Sequence, residues 1–233
     1  MKLKNTFFAA SIFSGALLLG CKTQPQNSTV SNTYIGYLIR YSEDGQSLRS
    51  DATFKRGDSL QVAKPVAILG NVSLNGQPLN KVSSELGEYY TITGTKEHPD
   101  SNYTFSYNDP YLAKITKHTV FFPKATDVHF EGNALSMKNG GTLIWNGAPL
   151  RNREEIMVQL EDSKKTLREI RIVGPTQKAS FALSAAQLDG LTAGEATINC
   201  MRTAILPLPE SQHTKGSVTT EYYAKETKVK MAN

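Results

Sequence analysis

Apolar residues in this chain fall on every second position, and that spacing limits the fold more than any other feature. Ile156, Val158 and Leu160 alternate with polar neighbours, as do Ile170 with Ile172 and Phe181 with Leu183. Near the end, Val229 and Met231 lie on one side of a strand pattern, with Lys228 and Lys230 on the other. A period of two is that of a strand with one face against a core and one face in water. No stretch keeps a helical period over three turns. Glu154 to Lys165 carries the charges of an exposed helix, but its apolar residues alternate. Turn chemistry punctuates the runs: Glu43-Asp44-Gly45, Asn75-Gly76 and Asn146-Gly147. Asn-Gly suits a two-residue hairpin because both residues tolerate positive φ, so hairpins are expected at both Asn-Gly sites. Val62 to Leu69 reads as an edge strand or bulge, because Pro65 has no N–H to give to a ladder. The expectation is an all-β chain of antiparallel strands.

Two segments echo each other. Asn75-Gly76-Gln77-Pro78-Leu79 matches Asn146-Gly147-Ala148-Pro149-Leu150, and Asp51-Ala52-Thr53-Phe54 upstream of the first echoes Asp127-Val128-His129-Phe130 upstream of the second. Tandem related domains are expected, residues 33–122 and 123–233, with the boundary near Pro123. The segment Leu188-Asp189-Gly190-Leu191-Thr192-Ala193-Gly194-Glu195-Ala196-Thr197-Ile198 resembles a turn of immunoglobulin-like and fibronectin-like sandwiches. There a leucine-rich corner and a glycine feed the strand that returns across the core. The resemblance implies two tandem antiparallel immunoglobulin-like β-sandwich domains. It implies no activity, because such sandwiches host many roles.

The first 20 residues are of another kind. Lys2 and Lys4 precede an apolar stretch from Phe7 to Leu19, too short to span a bilayer and built like a secretory signal. Its ending, Leu18-Leu19-Gly20-Cys21, resembles the lipobox of bacterial lipoproteins. The resemblance implies cleavage before Cys21, a diacylglyceryl group on its thiol, and an acylated new amine. Residue 22 is lysine, not the aspartate of an inner-membrane retention signal, so the expected address is the cell outer membrane. Residues 21–32 are polar with little to bury and read as a flexible tether.

The formal charge of +5 is mild and spread along the chain, which does not imply a nucleic-acid partner. With Cys21 lipidated, Cys200 has no partner within the chain. Alternation puts Cys200 on the face of Ala196 and Ile198, where an inert buried thiol is expected.

Chemistry is sparse. There is no Gly-x-Ser-x-Gly elbow, phosphate-binding loop or calcium loop. Glu154-Glu155 and Glu161-Asp162 are adjacent carboxylates, which on a strand point to opposite faces. Asp127, His129 and Glu131 share one face of a strand pattern, but alternate residues stand about 7 Å apart, too wide for one ion without neighbours. No metal and no cofactor is expected. Tyr89, Tyr90, Tyr103, Tyr107, Tyr111 and Trp145 include rings on which a sugar could stack. Trp145, the only tryptophan, stands before a turn and is the ligand-binding candidate. The expected function is non-enzymatic: a lipid-anchored envelope protein with a binding or structural role. Its partners would be the membrane, through the lipid, and an envelope protein or a glycan. The alternative is a carbohydrate-binding lipoprotein of a polysaccharide uptake system.

Overall fold

The computed structural model describes residues 31–109, 114–210 and 213–233. The signal, Cys21, most of the tether and Tyr111 lie outside the described residues. The first half holds β1 (Asn32–Ser42), β2 (Ser47–Gly57), β3 (Lys64–Pro65), β4 (Ser73–Leu74), β5 (Gln77–Pro78), β6 (Asn80–Ser84), β7 (Gly87–Thr95), β8 (Asn102–Asp109) and β9 (Lys114–Phe121). The second holds β10 (Thr126–Phe130), β11 (Ala134–Ser136), β12 (Gly141–Asn146), β13 (Glu154–Glu161), β14 (Leu167–Val173), β15 (Ser180–Leu183), β16 (Gly194–Pro207), β17 (Thr214–Tyr223) and β18 (Thr227–Ala232). Among the described residues the only helical pieces are two short 3₁₀ turns. The fold is all-β.

Sheet order gives the architecture. In the first half β1-β2-β7-β6 are neighbours in the main sheet, and β5-β4-β8-β9 form a separate sheet. Lettered by appearance, β1, β2, β4, β6, β7, β8 and β9 take places A to G. The two sheets then read A-B-E-D and C-F-G, the order of a constant-type immunoglobulin sandwich, with β5 as a short extra strand beside C. In the second half β10-β12-β15 form one sheet, opposed by β14, β13 and β16 of the main sheet. There β10, β12 and β15 sit as A, B and E, and β13, β14 and β16 as C, C′ and F. Strand G is split into β17 and β18, both paired along β16. The pairings Met201↔Tyr223 and Ile198↔Thr227 span three steps on β16 and four on its partner, so one extra residue makes the break.

The expected boundary at residues 122 and 123 falls between β9 and β10, and the main sheet runs across it. β16 and β17 make a long hairpin, and β17 pairs in parallel with β1 from Thr33↔Thr214 to Ser42↔Tyr223. An edge strand left bare would offer unpaired N–H and C=O groups to other chains. Here the hairpin of the second sandwich covers edge strand A of the first, and eleven strands share one sheet.

Alternation places the core. β1 buries Thr33, Ile35, Tyr37, Ile39 and Tyr41 and turns the residues between them outward. Tyr37 stacks on Phe105 of the opposing sheet with ring centroids 3.8 Å apart. β13 buries Glu154, Ile156, Val158 and Leu160, confirming that this charged stretch is a strand. The Leu188–Ile198 corner behaves as its resemblance implies. Leu188 and Leu191 are buried and the segment feeds β16.

One local expectation is corrected and another is borne out only as a short edge strand. Asn146-Gly147 closes no hairpin: β12 pairs with β10 and β15, while the next strand, β13, belongs to the main sheet. The segment is a crossing between sheets. Of Val62 to Leu69, only Lys64–Pro65 forms a strand, a two-residue edge addition to β2, and the Val66 N–H adds one more bond to the Phe54 carbonyl at 3.0 Å.

Candidate functional site

A polar concavity lies where the two halves meet. It is a cleft of about 410 Å³ bounded by the β1–β2 turn, the segment after β7, the linker at Lys124 and the end of β17. Its walls carry Glu43, Asp44, Glu97, His98, Lys124 and Lys225 above the rings of Tyr41 and Tyr222. Such a set could serve acid–base chemistry only if some groups stood free, and most are committed to holding the joint. The Tyr41 hydroxyl donates to the Lys96 carbonyl at 3.0 Å or the Glu97 carbonyl at 2.9 Å. Lys225 N–H donates to Glu43 Oε2 at 2.8 Å, and Glu226 N–H to Asp44 Oδ2 at 3.2 Å. Lys124 Nζ donates to the Pro99 carbonyl at 2.6 Å. Tyr41 and Tyr222 stack with centroids 5.7 Å apart, and Phe122 joins Tyr222 to Tyr103.

The tyrosines here stay protonated at neutral pH. Burial pushes Tyr222 upward, and the nearby Glu43 carboxylate adds to it. Burial raises Tyr103 to about 12. Tyr41 is also raised by burial, then by Glu43 and Glu97. Loss of a proton would leave a phenolate in a poorly solvated place beside carboxylates. None of the three is a base at neutral pH.

A second polar cluster locks the linker from the other side. Arg202 of β16 donates from Nη1 to the carbonyls of Lys124 and Ala148, both at 2.8 Å. Its Nη2 donates to the Pro149 carbonyl at 3.2 Å and to Glu154 Oε2 at 2.5 Å. Glu154 also accepts the N–H of Arg151 at 3.2 Å.

The residues singled out in the sequence do not converge. Trp145 is 1 % exposed and its Nε1 donates to the Ala148 carbonyl at 3.2 Å. The ring belongs to the core of the second sandwich. The expectation of a stacking platform is corrected, because a buried ring shows no face to a sugar. Tyr90, Tyr103 and Tyr107 are buried too. Asp127 and His129 stand together on the exposed side, with His129 Nδ1 3.8 Å from Asp127 Oδ1, but Glu131 does not join them. A bulge follows Thr126, Asp127 takes positive φ, and Glu131 lies beyond the strand end. His129 Nδ1 donates to the Asp127 carbonyl at 2.8 Å. Among the described residues no cluster of His, Cys, Asp or Glu is arranged to hold a metal ion. Cys200 is buried, and burial raises its thiol to about 12, against the lowering pull of Arg202.

Two features escaped the sequence. One is the Glu154–Arg202 pair. The other is His118, buried in the first sandwich with Nδ1 3.1 Å from the Tyr37 hydroxyl. For the pair a signal existed. Glu154 heads the register Ile156, Val158, Leu160, and Arg202 follows Ala196, Ile198, Cys200. A charge on a buried register calls for a partner.

No family model matches the chain, and no curated protein matches it. Among solved structures, one similar chain is a tetra-tandem repeat from the extending region of a large adhesion protein. Its TM-score is 0.31 with 11% identity over 86% of this chain and 49% of that one. This chain thus spans about half the length of that structure. Another is the titin domains Z1Z2 in complex with telethonin, at TM-score 0.20 and 11% identity over 83% of this chain and 93% of that one. At such scores the likeness carries no weight, and the immunoglobulin-like assignment rests on the sheet order.

Proposed function

We propose that this chain is a lipid-anchored protein of the bacterial outer membrane that presents two fused immunoglobulin-like sandwiches for binding or structure, without catalysis. The observation that supports the non-catalytic part is the polar cleft. Glu43, Asp44 and Lys124 in it are spent on hydrogen bonds that join the two halves, and its tyrosines stay protonated at neutral pH. The anchor is supported by Leu18-Leu19-Gly20-Cys21 and by the position of the first strand, which begins at Asn32, a short tether away from Cys21. The alternative glycan-binding reading loses its stacking residue with the burial of Trp145.

Fractionation of cells making the wild type or Cys21→Ser tests the anchor. A serine cannot form the thioether to diacylglycerol. The wild type is expected in the detergent-extracted outer membrane, and its mature N-terminus should carry the mass of the acyl chains. The variant should stay uncleaved or lack the lipid. Two or three acyl chains, at about 0.8 kcal/mol per buried methylene, make attachment lasting. Soluble secretion of both proteins would overturn the anchor and the localisation.

A further inference from the structure

Five of the large apolar side chains left in water lie at one end of the first sandwich. These are Leu60, Val62, Leu69, Leu86 and Ile115, between 59% and 90% exposed. The topology brings them together. Leu60 and Val62 sit between β2 and β3, in the loop where Gly57 faces Asn32, the first residue of β1. Leu86 is in the β6–β7 turn, and a Cβ on the next residue, Gly87, would lie 2.4 Å from Pro65 of β3. Leu69 precedes Gly70, which lies against Asn108, and Asn108 faces Ile115 across the β8–β9 pairing. All five therefore occupy the pole at which β1 begins. The opposite pole holds the polar cleft.

Lysines stand among them. Lys55 and Lys64 are exposed at the β2–β3 pairing, and Lys215 is exposed opposite Tyr34. Asp58 and Glu85 share these loops, but exposed apolar tips with Lys55, Lys64 and Lys215 around them have the composition of a surface that enters a lipid interface. The apolar tips leave water, while the ammonium groups stay with anionic headgroups.

We propose that this pole docks onto the bilayer that holds the lipid anchor. The inference rests on the anchor reading above. Ten residues, 22–31, separate Cys21 from Asn32. Fully extended they span roughly 35 Å, so the pole with the exposed leucines cannot leave the neighbourhood of the membrane. The five side chains would then lie in the headgroup region, and the long axis of the sheet would stand away from the surface.

Site-specific labelling of the full chain tests this. Leu86→Cys at the proposed pole, or Gly45→Cys in the turn at the opposite one, is coupled to an environment-sensitive fluorophore. Buried Cys200 does not compete. The lipidated protein is placed in phosphatidylethanolamine–phosphatidylglycerol vesicles containing a spin-labelled phospholipid. The label at position 86 should shift to the blue and lose at least half its emission to the quencher, while the label at 45 should change little. Adding Leu60→Ser and Leu69→Ser should restore emission at 86 with the protein still anchored. Equal, weak quenching at both positions of a lipidated chain overturns docking and leaves the anchor standing. A mature chain without lipid at Cys21 overturns the anchor instead. Docking is then judged on the same labels in a Cys21→Ser chain held by an N-terminal hexahistidine tag on nickel-chelating lipid, where lack of quenching at 86 overturns it.

Discussion

Arg202 and Glu154 form an ion pair in which each side chain is 1 % exposed, and the same guanidinium donates to three backbone carbonyls of the linker and the β12–β13 crossing. The pair fastens three segments distant in sequence: β16, the start of β13 and the chain at Lys124. A buried charge without its partner retains its desolvation cost, so removing one side is worse than removing both. Arg202→Met should destabilise the protein by about 3–5 kcal/mol in urea unfolding. It leaves the Glu154 carboxylate without its counter-charge and the Lys124 and Pro149 carbonyls without the arginine, while Ala148 keeps only Trp145 Nε1. Adding Glu154→Leu to Arg202→Met should recover part of the loss. A single variant that unfolds at the wild-type urea concentration would show that the pair does not hold the joint.

The β1–β17 pairing brings two backbones close at Gly216. A Cβ there would meet the Ile35 carbonyl oxygen at 2.3 Å, and that oxygen belongs to the ladder itself. At Gly36 on β1, a Cβ would meet only the Thr53 hydroxyl, at 2.8 Å, which can rotate away. Gly216→Ala should therefore cost about 1–3 kcal/mol, as overpacking does where nothing yields, and Gly36→Ala clearly less. Thermal unfolding of the two variants side by side checks the order. Equal losses would mean that the strands separate easily at this point.

Much of the fold was legible because alternation reports which face of a strand is buried, whatever its neighbours are. Val229 and Met231 are buried and Lys228 and Lys230 exposed, as their spacing dictates. Which strands pair is another matter. Nothing local to Ile35 says that Gly216 will lie beside it, since a parallel pair needs no turn between its members. The functional candidates failed for a related reason. Trp145 was singled out for its chemistry, yet its place in the register Leu143, Trp145 turns it into the core. The Glu154–Arg202 pair was legible one step further along registers already recognised.

Burial of tyrosines predicts loss of stability at high pH. Tyr103 is raised to about 12 by burial, and Tyr37 and Tyr222 are raised for the same first cause. In the unfolded chain these phenols ionise near 10. Between about pH 10 and 12 the unfolded state holds fewer protons than the folded one, so stability falls as pH rises. The stabilisation is fully present below pH 10. Urea midpoints should be flat from pH 7 to about 9 and drop above 10. Replacing Tyr103 with Phe should make that drop shallower. A midpoint constant up to pH 12 would show that the rings ionise while still folded.

The two Asn-Gly sites share a sequence and differ in what surrounds them. Asn75 and Gly76 both take positive φ between β4 and β5, and a Cβ on Gly76 would meet nothing within 4 Å. Gly147 also has positive φ, but its Cβ would lie 2.5 Å from the Lys124 carbonyl oxygen, which Arg202 already engages. Gly76→Ala should cost only the conformational penalty of a left-handed residue, about 1 kcal/mol. Gly147→Ala carries a similar penalty and also drives the crossing away from the linker, disturbing the carbonyls around Arg202. Its loss should be at least twice that of Gly76→Ala in urea unfolding. It should also shrink sharply when measured in the Arg202→Met background, since the two changes damage the same joint and would not add. Additive losses would mean that the steric contact at Lys124 and the arginine cluster act separately.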